Sequence, residues 1–295
     1  PFMALAALET GKRTATQTIA DPGFFKFGGN TFRDDAKNGH GMVDMKLSIA
    51  ASCDTYYYML ARDMGVNAIH DFMKPFGFGQ LSGIDIAGEV RGILPSTEWK
   101  KNYFKDPAKG KWIEGETISI GIGQGYNSFS ILQLAQATSI LANRGVVMKP
   151  HLVKLIEDPL THEKTLTVPS ESYKIPLKNE NLDVITNAMI EVNRSGTASQ
   201  VFNGTPYQVA GKTGTAQVFS LKSQTYNASA ISEFKRDHAL YIAFAPADKP
   251  KYAIALVVEN GGFGASAAAP IVRQALDYLI LGQWPSGVPQ WKNAQ

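Results

Sequence analysis

The period of the hydrophobic pattern changes once along this chain, and that change bounds the folds open to it. Met45 to Ala51, Thr55 to Met64, Val66 to Pro75, Ser130 to Asn143 and Asn179 to Val192 place apolar residues at helical spacing. After residue 205 the period shortens. Tyr207 to Ala210, Ala239 to Phe244 and Tyr252 to Val258 carry the β-branched and aromatic residues of strands, and Ala269 to Leu281 closes as a helix. A helical middle and a strand-rich final third predict an α+β fold, with an antiparallel sheet flanked by helices and a helical subdomain. The mainly helical part is expected over about 40–200 and the sheet-forming part over 205–285. A first helix, Phe2 to Leu8, stops before Gly11 and is expected to pack on the sheet. Residues 21–42 read as turns and loop, and 83–117 as a polar, Gly/Pro-punctuated loop region.

Composition excludes more than it suggests. The 295 residues suffice for a core without staples, and a single cysteine excludes an internal disulfide framework. The 29 Lys and Arg against 26 Asp and Glu leave a net charge of +3, with no basic run, so nucleic acid is not an expected partner. The longest apolar stretches, such as Tyr252 to Val258, fall far short of the roughly 18 residues of a bilayer span. The chain opens at Pro1 inside what reads as a helix, so further sequence is expected upstream.

Gly211-Lys212-Thr213-Gly214-Thr215 follows a predicted strand. A Lys and two Thr hydroxyls on one strand face would offer a positive charge and two donors to a carboxylate, with Gly214 letting a ligand backbone come close. The alternative is a surface strand with a solvated lysine. About 160 residues upstream lies Ser52-Cys53-Asp54, between two predicted helices. A hydroxyl near a lysine relays protons, and a carboxylate two positions on can orient the lysine or hold an amide; Ser-x-Asp between helices is also an ordinary N-cap. In this order the two elements resemble the second and third motifs of the penicillin-recognising acyl-serine enzymes. The first motif, Ser-x-x-Lys opening a helix, should precede Ser52. The match Ser232-Glu233-Phe234-Lys235 comes after Lys212, in the wrong order, and is rejected. The nucleophile is therefore expected just before Pro1.

Other segments narrow the resemblance. Gly121-Ile122-Gly123-Gln124-Gly125 leading into Leu132-Gln133-Leu134, Arg236-Asp237-His238-Ala239 through Phe244-Ala245-Pro246, and Val257-Val258-Glu259-Asn260-Gly261-Gly262 resemble the class B penicillin-binding proteins. Asp rather than Asn at position 54 points to the cell-elongation members in Gram-negative rods. The likeness runs over nearly all of residues 1–285 and implies the penicillin-binding/β-lactamase-like transpeptidase fold, here as a partial domain. It implies D,D-transpeptidation of peptidoglycan stem peptides through an acyl-serine, with β-lactams as inhibitors. Ser52 would shuttle a proton, Asp54 position the missing lysine or a substrate amide, and Lys212 set the field. Thr213 and Thr215 would bind the terminal carboxylate beside Gly214, and the Thr215 N–H would form half of an oxyanion hole. An inner-membrane anchor, a periplasmic catalytic domain and an elongation-complex membrane glycosyltransferase as partner are implied too. A β-lactamase, a D,D-carboxypeptidase or a non-catalytic penicillin-binding sensor or scaffold are the alternatives.

The lone cysteine suggests a metal. Asp34, five residues, His40, twelve residues and Cys53, with Asp21 further back, are legitimate zinc ligand types, and a loop-rich stretch would benefit from a cross-link. A closed structural zinc site on Asp21, Asp34, His40 and Cys53 is expected, with Asp35 as runner-up to Asp34. Otherwise Cys53 is a small buried hydrophobe and the Asp residues form turns. No cofactor is expected for the chemistry. His162-Glu163 lacks the second His of a zinc-protease helix, and His70, His151 and His238 read as structural or surface residues.

Overall fold

A computed structural model describes residues 1–218 and 232–288, which divide into two compact units. One comprises Pro1–Ser48 with Cys53–Ile185; the other comprises Ile49–Ser52 with Thr186–Gln295. The division falls at 48/49, 52/53 and 185/186, the last of these inside the helix Asn179–Arg194.

In the first unit α1 (Phe2–Glu9) precedes four short strands, β1 (Ile19–Asp21), β2 (Phe24–Phe27), β3 (Asn30–Arg33) and β4 (Gly41–Val43). Then come α2 (Met45–Ala50), α3 (Asp54–Met64), α4 (Val66–Met73), α5 (Thr97–Tyr103), α6 (Pro107–Gly110), α7 (Glu114–Ile120) and α8 (Ile131–Ala142). Strands β5 (Val146–Met148), β6 (Leu155–Glu157), β7 (Lys164–Leu166) and β8 (Glu171–Lys174) lead into α9 (Asn179–Arg194). Helix α1 is apolar all round and packs within this unit on α3 and α4. Phe2 meets Phe76 and Phe78 edge-on, and Leu5, Tyr56, Leu60, Ile69, Ile118 and Ile140 fill the core.

Two stretches read as loop are ordered. Residues 21–42 hold two antiparallel pairs, β1 with β4 and β2 with β3, the latter closed by Gly28-Gly29 at positive φ, the two-residue hairpin turn that glycine pairs favour. Within 83–117, Ser96 and Asp106 cap α5 and α6 through their side chains, so two apparent loop residues are helix starts.

The second unit takes the end of α9, α10 (Ser199–Phe202), β9 (Ala210–Ala216), β10 (His238–Ala245), β11 (Tyr252–Val258), α11 (Gly264–Ala267) and α12 (Ala269–Leu281). Among the described residues the sheet is antiparallel in the order β11-β10-β9, with the apolar strand β10 central. Val192, Tyr241, Phe244, Val272 and Leu276 pack its core, each Val-, Leu- or Phe-sized side chain contributing about 1.5–3 kcal/mol of burial. The strand predicted over Tyr207 to Ala210 is displaced. Asn193 Nδ2 donates to the Val209 carbonyl at 2.7 Å, which anchors the approach to the sheet, and the ladder begins at Ala210. The Gly-Lys-Thr-Gly-Thr segment is therefore the strand itself.

Candidate active site

Helix α2 ends in a Schellman turn. The Ser52 N–H donates to Ile49 O at 3.4 Å and the Cys53 N–H to Ser48 O at 3.0 Å, which leaves Ser52 in the left-handed slot at φ 58°. Glycine ordinarily fills that slot, and a serine there costs conformational energy. The N-cap alternative for Ser52 does not hold, because the N-cap residue of α3 is Cys53 and it makes no side-chain cap. Asp54 opens α3 two residues after Ser52.

The ammonium of Lys212 donates to the Ser52 hydroxyl, joining the two motifs across 160 residues, and also to Thr213 O at 2.9 Å. The Thr213 hydroxyl lies 3.4 Å from the same ammonium and 2.9 Å from the Thr197 hydroxyl. Strand alternation puts Thr213 and Thr215 on one face and Lys212 on the other. The expected shared face is thus corrected: the lysine reaches the threonine side by folding its long chain around its own strand. β9 borders β10 on one side only, so it is an edge of the described sheet.

Gly211 and, across from the segment, Gly264 have packing reasons for carrying no side chain. A Cβ on Gly211 would lie 2.2 Å from the hydroxyl oxygen of Tyr241, which donates to Asn193 Oδ1 and stacks on Phe202 at 5.6 Å. A Cβ on Gly264, opening α11, would lie 2.5 Å from Gly214 O and 2.9 Å from Gly214 N. Gly264 therefore packs directly on the Gly214 main chain, whereas a Cβ on Gly214 would meet nothing nearer than Leu240 Cβ at 3.3 Å. Asp237, buried beside this sheet, has its carboxyl raised by desolvation despite accepting from the Val218 N–H at 3.1 Å.

In the first unit Asp21, Asp34, His40 and Cys53 converge, each offering a ligand atom within 4.8 Å of the others. His40 Nδ1 is 2.8 Å from Asp21 Oδ2 and 3.7 Å from Asp34 Oδ1, and Cys53 Sγ is 3.3 Å from Asp21 Oδ2. Both carboxylates and the thiol are buried, whereas Asp35 is exposed and outside the group. Burial by itself raises the Asp21 carboxyl, but hydrogen bonds from the Gly23 N–H and from His40 outweigh it and hold it at about 2. Burial, with the charges of Asp34 and Asp21, pushes the Cys53 thiol up. Asp34 Oδ2 accepts the Thr55 N–H at 3.0 Å, serving the start of α3 from a distant loop. A Cβ on Gly39 would fall 2.0 Å from Asp21 O, so the loop carrying His40 can lie this close only as glycine.

Ser232 to Lys235 is an exposed segment containing a single 3₁₀ turn, not the start of an α-helix. His70 Nδ1 is 3.2 Å from the Leu94 carbonyl, and His238 Nδ1 accepts the Asn260 N–H at 2.9 Å. Both histidines thus make structural bonds to the main chain. Thr197 escaped the sequence reading: its one signal was a Gly-Thr step after the end of a helix.

A strand-borne lysine on a serine hydroxyl, threonines beside it and helices around an antiparallel sheet define acyl-serine enzymes of the penicillin-binding class. The chain belongs to the penicillin binding protein transpeptidase domain family, matching it over residues 1–277. It is 40% identical over 296 residues to the peptidoglycan D,D-transpeptidase MrdA of Haemophilus influenzae, covering 97% of this chain and 44% of that protein. With MrdA of Acinetobacter baumannii the identity is 43% over 289 residues, covering 95% and 41%. The solved structure of Pseudomonas aeruginosa PBP2 in complex with WCK 5153 matches with a TM-score of 0.81 at 36% identity, covering 97% of this chain and 61% of that one. The complex of PBP2 and MreC from Helicobacter pylori matches at 0.78 and 30%, covering 95% and 48%. The chain spans less than half the length of the curated relatives it matches.

Proposed function

We propose that this chain is the greater part of a peptidoglycan D,D-transpeptidase domain that cross-links stem peptides during cell elongation and is acylated by β-lactams. The observation that carries the reading is the contact of Lys212 with the Ser52 hydroxyl, supported by the MrdA relatives. A serine of a Ser-x-x-Lys pair outside these residues attacks the penultimate D-Ala carbonyl. The terminal D-Ala leaves with a proton, and an amine of a neighbouring strand then takes the acyl group from the serine. Ser52 passes the proton between that lysine and the leaving or attacking nitrogen, with Asp54 orienting the lysine or the substrate amide. Lys212 supplies the positive field, Thr213 and Thr215 receive the carboxylate beside Gly214, and the Thr215 N–H serves the oxyanion.

In the same reading the catalytic domain is periplasmic and held to the inner membrane by an anchor outside these residues. No helix among the described residues is long and apolar enough to cross a membrane. An elongation-complex membrane glycosyltransferase is the proposed partner; the likeness to a peptidoglycan synthase complex supports it at 26% identity and a TM-score of 0.79. Asp21, Asp34, His40 and Cys53 are proposed to hold a structural zinc. Two buried carboxylates beside a thiol are an acceptor-rich set that a cation neutralises, and all four donor types suit zinc.

Fluorescent-penicillin labelling of the full-length protein tests the enzyme. A stable adduct with formation of cross-linked stem-peptide dimers is the expected result. Rapid hydrolysis of the adduct makes the protein a β-lactamase, release of D-Ala without dimers a carboxypeptidase, and an adduct with no stem-peptide turnover a sensor or scaffold.

A further inference from the structure

The Thr213 hydroxyl has one proton to donate and two lone pairs to accept with. The Lys212 ammonium, a donor only, lies 3.4 Å from it, and the Thr197 hydroxyl lies 2.9 Å from it. We infer that Thr197 is a positioning residue: it donates to Thr213 and so turns the Thr213 proton toward a bound carboxylate. The inference deepens the acyl-transfer reading above and rests on it.

The direction of the Thr197–Thr213 bond decides what a ligand meets. If Thr213 donated to Thr197, its lone pairs would face the incoming carboxylate, which has no proton with which to answer them. With Thr197 as donor, both Thr213 lone pairs are engaged by Lys212 and Thr197, and its single proton is left for the ligand. A bound carboxylate selects this second arrangement, because a charged acceptor strengthens the bond it receives.

The backbone holds Thr197 in place for the task. Its N–H donates to Ala50 O at 3.2 Å, and Ala50 is the last residue of α2, two positions before Ser52. Gly196 makes the approach possible, since a Cβ there would fall 2.3 Å from Ala50 O and 2.8 Å from Val192 Cα. One turn at the end of α9 therefore steadies the chain leading to Ser52 through its backbone and aims Thr213 through a side chain. Thr197 itself is exposed, so its hydroxyl has little part in the stability of the fold.

Thr197→Val keeps the shape and the backbone bond to Ala50 but removes the hydroxyl; Thr197→Ser keeps the hydroxyl. In the full-length protein the rate constants for acylation by benzylpenicillin and by its methyl ester are measured, together with Tm. Loss of one hydrogen bond predicts a fall of about five- to tenfold for benzylpenicillin in the valine variant. The methyl ester, which carries no carboxylate, should react as with the unaltered protein, the serine variant should recover, and Tm should not move. An unchanged benzylpenicillin rate, an equal loss for both compounds, or no recovery with serine overturns the role of Thr197. If the unaltered protein is not acylated by either compound, the acyl-transfer reading falls, and this inference with it.

Discussion

Two polar clusters in this molecule are built to opposite rules. Along β9, Lys212 and the hydroxyls of Thr213 and Thr215 are half-buried on a regular strand registered against β10. Around Asp21, carboxylates and a thiol are buried on loops and short strand pairs, brought together by Asx-type turns and a glycine that cannot carry a side chain. The first gathers donors and positive charge, the chemistry that receives an anion. The second gathers acceptors, the chemistry that receives a cation. The sign of the ligand follows from the balance of donors and acceptors, and the regularity of the backbone sets how far sequence spacing can reveal it.

The largest effect tests the donor cluster. Lys212→Ala removes the charge and the contact to Ser52. Acylation of the full-length protein by penicillin should fall by about a hundredfold or more, the scale of losing a preorganised electrostatic partner. Tm should change little, since the lysine is only half-buried. An acylation rate within a few-fold of the unaltered protein would remove β9 from the site and leave its donors as surface chemistry.

The acceptor cluster is tested next. Protein purified without added metal should contain about one zinc per chain, and Cys53→Ala should bring the content to background and lower Tm by several degrees. The direction of the fall follows from linkage: a metal held only by the folded state stabilises it, and removing a ligand removes that stabilisation. Stripping zinc from the unaltered protein with a chelator should reproduce the lower Tm, while chelation of the alanine variant should do nothing. Equal melting of both proteins, with no zinc above background, reduces Cys53 to a buried hydrophobe and the carboxylates to turn formers.

Legibility in the sequence followed the range of the interactions. Helices α8, α9 and α12 and strands β10 and β11 stand where periodicity put them, because each is long enough to show its period and is packed by the face it displays. Strands β1 to β4 were hidden, since three or four residues show no alternation and their order depends on pairing. The capped helices α5 and α6 hid among polar residues that cap as readily as they turn. In the site, Ser52, Lys212 and the threonines were visible as ordered motifs. The reach of Lys212 around its strand, the packing of Gly264 on Gly214, and the place of Thr197 were not. Each depends on which distant backbone arrives alongside, and spacing carries no information about that. The four residues around Asp21 were named by type and proximity along the chain, and the turns at Gly23, Ala36 and Gly39 supply the geometry that spacing lacks.

The smallest effect separates fold from chemistry at one residue. Ser52 occupies the left-handed position that ends α2, with φ 58°. Neither backbone bond of that turn needs its side chain, because the Ser52 N–H to Ile49 and the Cys53 N–H to Ser48 are both main-chain bonds. Glycine adopts this conformation without the Cβ clash, so Ser52→Gly should raise the unfolding free energy by roughly 0.5–1 kcal/mol, less whatever the Lys212 contact contributes and the added freedom of the unfolded chain removes. The same change deletes the hydroxyl proposed to carry protons, so stem-peptide turnover should fall even as stability holds or rises. A serine kept for structure would give the reverse, a less stable glycine variant with unimpaired turnover. Stability at or above that of the unaltered protein, with turnover lost, identifies a residue held in a strained place for its hydroxyl.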